Sequence, residues 1–86
     1  MPNHASSRFW SSYEALPERV RKLADEAFAV FENDPQHPSL QFKKVGQFWS
    51  ARIDRNHRAL AVEVHDGLLW IWIGTHENYE RLIRNS

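Results

Sequence analysis

The hydrophobic period of this chain changes once, and that change fixes the order in which helix and strand can occur. Ahead of the segment "NDPQHPSL", apolar residues recur every three or four positions; beyond it they alternate. Val20, Leu23, Ala24, Ala27, Phe28 and Phe31 form an i, i+3, i+4, i+7, i+8 stripe, the mark of one buried helical face. Pro17 suits the first helical position because its fixed φ is helical and its missing amide would be unpaired there anyway, so a helix is predicted over residues 17–33. Pro35 and Pro38 stop it, since each lacks a donor and pushes its predecessor out of the helical region. Nearer the N-terminus, Ser6 or Ser7 caps a shorter helix in which Phe9, Trp10, Tyr13 and Leu16 recur at helical spacing.

After the prolines, "QFWSARID" alternates Trp49, Ala51 and Ile53 against Phe48, Ser50 and Arg52, "RALAVEV" is a second run, and "LLWIWIG" a third. Asp66 and Gly67 mark a hairpin between the last two, and Asn56 lies in the other connection, giving a three-stranded antiparallel meander. A further strand near residues 3–7 is weakly signalled, and residues 77–84 read as a short final helix. Two helices cannot bury their stripes alone. The expected fold is therefore α+β: two N-terminal helices packed on one face of a twisted antiparallel sheet of three to four strands, with a short C-terminal helix and the other sheet face open.

Strict alternation on the last strand sets Leu69, Ile71 and Ile73 against Trp70, Trp72, Gly74 and His76. The simplest assembly puts Ser50, Arg52, Trp70, Trp72 and His76 on the open face, with Gly74 ending the buried strand so that His76 and Tyr79 reach outward. Arg58 shares a side with Leu60, Val62 and Val64, which reads as the core side of its strand, so its orientation is left open.

At 86 residues the chain is one domain, residues 1–86. It has no cysteine, so neither disulfides nor thiolate metal sites arise, and a reducing compartment is suggested. The start "MPNHASSRFW" lacks a basic, apolar leader and no apolar run approaches about 18 residues, so a cytoplasmic protein without membrane contact is expected. A net charge of zero argues against a generic nucleic-acid binder, but the charges are segregated. Residues 14–34 hold six acids against three bases, whereas in residues 43–58 Lys43, Lys44, Arg52, Arg55 and Arg58 face only Asp54. The second segment makes a basic face suited to phosphates.

His4, His37, His57, His65 and His76 show no ligand spacing, so no metal is expected; glycine-rich phosphate loops and a nucleophile-elbow serine are absent too. What remains is His76, a residue type that exchanges protons near neutrality, the Tyr79 hydroxyl three positions on, and the guanidinium groups of Arg52 and Arg58. Together they suit phosphodiester chemistry. Trp70 and Trp72 offer rings on which bases stack. The plainer alternatives are that the tryptophans cover the sheet or meet a partner protein, that His76 bonds local backbone, and that Tyr79 pins the last helix.

The segments "LPERVRKLADEAFAVFENDPQHPSL", "KKV", "FWSARIDRNHRAL" and "IWIGTHENYERLI" resemble, over residues 9–83, the RelE/ParE superfamily of bacterial type II toxins, in particular its RelE-like branch. The resemblance implies two helices on a twisted antiparallel sheet, and an activity: metal-free, cofactor-free cleavage of messenger RNA in the ribosomal A site. In that chemistry the ribose 2′-hydroxyl attacks the adjacent phosphorus and leaves a 2′,3′-cyclic phosphate and a 5′-hydroxyl. By the same resemblance Arg52 and Arg58 stabilise the dianionic phosphorane, His76 moves a proton and Tyr79 assists. Lys43, Lys44, Arg55, Trp70 and Trp72 complete the expected RNA-binding set. The implied partners are the ribosome, messenger RNA and a cognate antitoxin, while codon preference and oligomeric state stay open. Two other readings are a ParE-like poison of DNA gyrase and a catalytically inactive member that binds protein.

Overall fold

Ser6 starts the first helix, accepting the amide of Phe9 at 3.0 Å, and α1 runs Ser7–Glu14. Pro17 caps α2, Glu18–Asn33, and Arg21 Nη1 donates to the Leu16 carbonyl at 2.7 Å across the corner between the two helices. These bounds and those below come from a computed structural model that describes residues 2–85. After the second helix His37 caps a single 3-10 turn, Pro38–Leu40, and its Nδ1 accepts the Ser39 amide at 3.2 Å.

The sheet contains β1 (Asn3–Ala5), β2 (Lys43–Val45), β3 (Phe48–Asp54), β4 (His57–Val64) and β5 (Gly67–Thr75), and α3 (His76–Arg84) closes the chain. Strand order is β1-β5-β4-β3-β2. The meander β3-β4-β5 is the expected one. Two three-residue edges bring the described strands to five, and β1 pairs with β5 in parallel while the other pairs are antiparallel. The α+β architecture, helices on one face and a short terminal helix, is as the hydrophobic pattern indicated.

The helix-side core explains which side of each strand faces in. Phe9, Phe28, Phe31 and Trp70 meet edge to face, with Phe28 and Trp70 at 5.0 Å and Phe31 and Trp70 at 5.5 Å between centroids. Large rings above the sheet take up most of the space over its middle strands, and the small Ala51, Ala59 and Ala61 are buried there. This reverses the side assignment for β4 made from its larger residues. Leu60 is fully buried but lies outside the helix-side core, on the face that α3 covers, and Arg58 shares that face.

A bulge decides the same question on β5. Leu60 pairs with Trp72 and Ala61 with Trp70, so Ile71 is an extra residue in the ladder. One extra residue inverts the alternation, and Leu68, Trp70 and Ile73 all enter the core. The expectation that Trp70 lies on the open face is thereby corrected: it is 2% exposed beneath the helices, and its Nε1–H donates to Asn3 Oδ1 at 3.2 Å. Ser12 of α1 covers the edge beyond the bulge, accepting the Ile73 amide at 3.1 Å.

Gly74 has a different role from the one its position suggests. The strand continues through it to Thr75, and the Trp72 indole lies where a Cβ at 74 would stand. A larger residue at 74 would have to displace that ring.

Candidate functional site

The terminal helix begins without a linker. Thr75 caps it by accepting the Asn78 amide at 3.2 Å, Glu77 stands in its first turn, and Arg81 and Arg84 in its last, each charge favourable to the helix dipole. Because helix follows strand directly, His76 and Tyr79 share one face, their rings 5.5 Å apart. The His76 amide donates to the Asn56 carbonyl in the β3–β4 turn at 2.6 Å, fastening the helix start to the sheet. Tyr79 is 7% exposed.

On the sheet, Lys43 pairs with Ser50 and Arg52 with Arg58, so these four side chains project to one face. They meet His76, Tyr79 and Glu80 around a cleft of about 240 Å³. All four residues expected to carry chemistry, Arg52, Arg58, His76 and Tyr79, line this one cleft, as does Lys43 from the RNA-binding set.

Arg58 is held at two points. Its Nη1 donates to the Asp54 carbonyl at 2.6 Å and to the His57 carbonyl at 2.9 Å. Burial pulls its pKa down and the Arg52 charge adds to this, opposed by Tyr79, Asp54 and Glu80. Arginine stays protonated regardless, so the downward pull reports positive charge held at a cost. An anion between the two guanidinium groups would offset that cost.

Glu80 was not singled out in the sequence, although its signal was present: it stands four residues after His76 on a helix, and its Oε1 lies 3.4 Å from His76 Nε2. Ser50, 2% exposed, also borders the cleft.

The remaining expected residues lie elsewhere. Lys44 pairs with Trp49 in register, which turns it to the opposite sheet face, where Nζ is 3.4 Å from Glu63 Oε1. Glu63 also accepts Trp49 Nε1–H at 2.8 Å, and that bond, then Lys44, holds its carboxyl below the usual value. Arg55 is exposed in the β3–β4 turn, outside the cleft. Trp70 is inside the core, and Trp72 is half-buried on the cleft-side face, folded over Gly74 rather than walling the cleft. Among the described residues no group of three His, Asp or Glu side chains is arranged to hold a metal ion, and no helix is long and apolar enough to cross a membrane.

Two guanidinium groups and an ammonium around one small cleft can hold a phosphate, and an imidazole with a phenol at its rim can exchange protons and hydrogen bonds with it. Comparison with known proteins adds a lineage to this geometry. A family model described as a ParE-like toxin domain matches residues 18–81. A chain of the RelB-RelE antitoxin-toxin complex from Methanococcus jannaschii superposes with a TM-score of 0.71 at 13% identity, covering 92% of this chain and 96% of that one. YafQ from E. coli strain BL21(DE3) gives 0.72 at 10% identity, over 91% and 96%. The YoeB/ParE toxin from Agrobacterium tumefaciens gives 0.67 at 19%, over 88% and 99%. At these identities the likeness is one of fold. No curated protein sequence matches the chain.

Proposed function

This chain belongs to the ParE-like toxin domain family, within the broader RelE/ParE group, and we propose that it is a cytoplasmic toxin of the RelE-like branch that cuts messenger RNA on the ribosome. The observation that carries the proposal is the meeting of Arg52, Arg58, His76 and Tyr79, from two strands and a helix, around one cleft. In this reading the scissile phosphate sits between Arg52 and Arg58. The ribose 2′-hydroxyl forms a bond to phosphorus, the bond to the 5′-oxygen breaks, and the products are a 2′,3′-cyclic phosphate and a 5′-hydroxyl. One proton leaves the 2′-oxygen and one reaches the 5′-oxygen; His76 is the side chain suited to move one of them. The arginines favour the phosphorane over the ground state because it carries the additional negative charge, commonly the largest single contribution in such sites. Tyr79 orients the phosphate or the imidazole beside it.

A cognate antitoxin is the proposed partner, in keeping with the likeness to a chain of an antitoxin-toxin complex. Induced expression should arrest translation, with messages cut in ribosome-bound regions and cyclic phosphate at the new 3′ ends; co-expression of an antitoxin encoded by a neighbouring gene should relieve the arrest. Intact messages at full expression of folded protein would sink the ribonuclease reading. The matched family name favours one second reading, binding to DNA gyrase without catalysis. Gyrase-linked DNA breaks under the same induction would select it.

A further inference from the structure

The β3–β4 turn holds two of the cleft's residues without entering the cleft. Asp54 Oδ1 accepts the Asn56 amide at 2.8 Å and lies 2.9 Å from His57 Nδ1. The first contact closes an Asx turn, in which an aspartate side chain stands in for a backbone acceptor two residues on. With the turn closed, its carbonyls point to the site: those of Asp54 and His57 converge on Arg58 Nη1 at 2.6 and 2.9 Å, and that of Asn56 takes the His76 amide at 2.6 Å. The Asp54 and His57 side chains are mostly buried, 20% and 11% exposed, so water competes little for the contact between them. Around them the ladder shifts by one residue between Arg52 and Asp54, so turn and strand cannot slide without moving Arg58.

We infer that Asp54 is a positioning residue for this site, its carboxylate shaping the turn whose backbone carbonyls fix the Arg58 guanidinium and the start of the helix that carries His76. It does not line the cleft. A negative charge so near the arginines has a rival role, simple electrostatic balance, and the two make opposite demands. Positioning needs an acceptor at the reach of aspartate or asparagine. Balance needs only a carboxylate. The inference extends the ribonuclease reading, on which its kinetic arm rests, but its binding arm does not.

The test uses the full chain with inorganic phosphate as the probe. Phosphate affinity and the Arg58 Nε–H resonance are followed by NMR in wild type, Asp54→Asn and Asp54→Glu, beside melting curves and ribosome-dependent cleavage. Asp54→Asn keeps the acceptor and should retain phosphate affinity, the Arg58 signal and most of kcat. Asp54→Glu keeps the charge but carries it one methylene too far; it should shift the Arg58 signal and weaken phosphate binding, and lower kcat rather than raise KM by roughly ten- to hundredfold, the scale at which small misplacements act. Equal phosphate affinity and an unmoved Arg58 signal in Asp54→Glu, whatever its melting temperature, would overturn the inference, as would an asparagine variant that fails where glutamate succeeds. If wild type binds phosphate and Asp54→Glu loses it, but neither cuts ribosome-bound RNA, the positioning role stands and the ribonuclease reading falls.

Discussion

Arg52 and Arg58 face each other as direct cross-strand partners on β3 and β4. Like charges so placed destabilise a sheet, and Arg58 is held there by the Asp54 and His57 carbonyls. The pair concentrates positive charge at one point of the sheet, at a cost carried by the rest of the fold.

Its consequence is measurable without RNA. A ligand that binds only the folded state stabilises it by RT ln(1 + [L]/Kd). Phosphate should raise the melting temperature above that in chloride at matched ionic strength. Arg52→Ala should be as stable as wild type in chloride, or more stable by up to roughly 1 kcal/mol, and should lose the response to phosphate. An undiminished response would place anion binding elsewhere.

His76→Gln separates chemistry from folding. The side chain is 43% exposed and its partner Glu80 51%, so their pairing contributes little to stability. Ribosome-dependent cleavage should fall by about 10² to 10⁴, with stability changed by less than about 1 kcal/mol. Full activity in this variant would remove His76 from the mechanism.

Trp70→Ala should behave as a core deletion, costing about 3–5 kcal/mol and leaving little folded protein in a domain this small. A chemical denaturation curve checks it. A folded variant with weakened RNA binding would instead mean that this ring meets the substrate.

Gly74→Ala should displace the Trp72 ring and cost about 1–3 kcal/mol by overpacking. Because Gly74 is the register partner of Arg58, phosphate affinity should fall as well. Tryptophan fluorescence and melting curves report the first effect. Unchanged emission and stability would show that the ring moves aside freely.

Acid stability should carry the mark of Asp54. Burial acts to raise its pKa, but the His57 hydrogen bond, the Asn56 and His57 amides and the His57 charge outweigh it, and the net direction is below the ordinary 3.8. A carboxyl depressed in the folded state contributes stability in full above its unfolded pKa and loses it as pH falls through the folded value. The stability difference between wild type and Asp54→Asn should therefore shrink as pH falls below about 4. A difference independent of pH would mean that the carboxylate makes no such bond.

Periodicity was enough for the architecture. The stripe from Val20 to Phe31, the prolines after it and the alternating runs beyond depend on local spacing, and the helix and the meander form where that spacing places them. Three of the residues that line the cleft were legible too: His76 and Tyr79 follow the last strand at helical spacing, and Arg52 lies opposite Ala51 and Ile53 by alternation. Facing was not legible wherever a ladder slips. The extra Ile71 sends Trp70 inward, and the small Ala59 and Ala61, not the larger Leu60, lie under the aromatic rings, which turns Arg58 toward the cleft. A bulge leaves no mark in the period of the strand that carries it, because it is chosen by what packs above and beside that strand. Lys44 and Arg55 belong to the basic segment by charge, yet register and turn geometry send them away from the cleft. The sequence thus determined which groups this protein has and in what kind of elements. The tertiary structure decided which of them share a face, because register and volume are settled between elements distant in the chain.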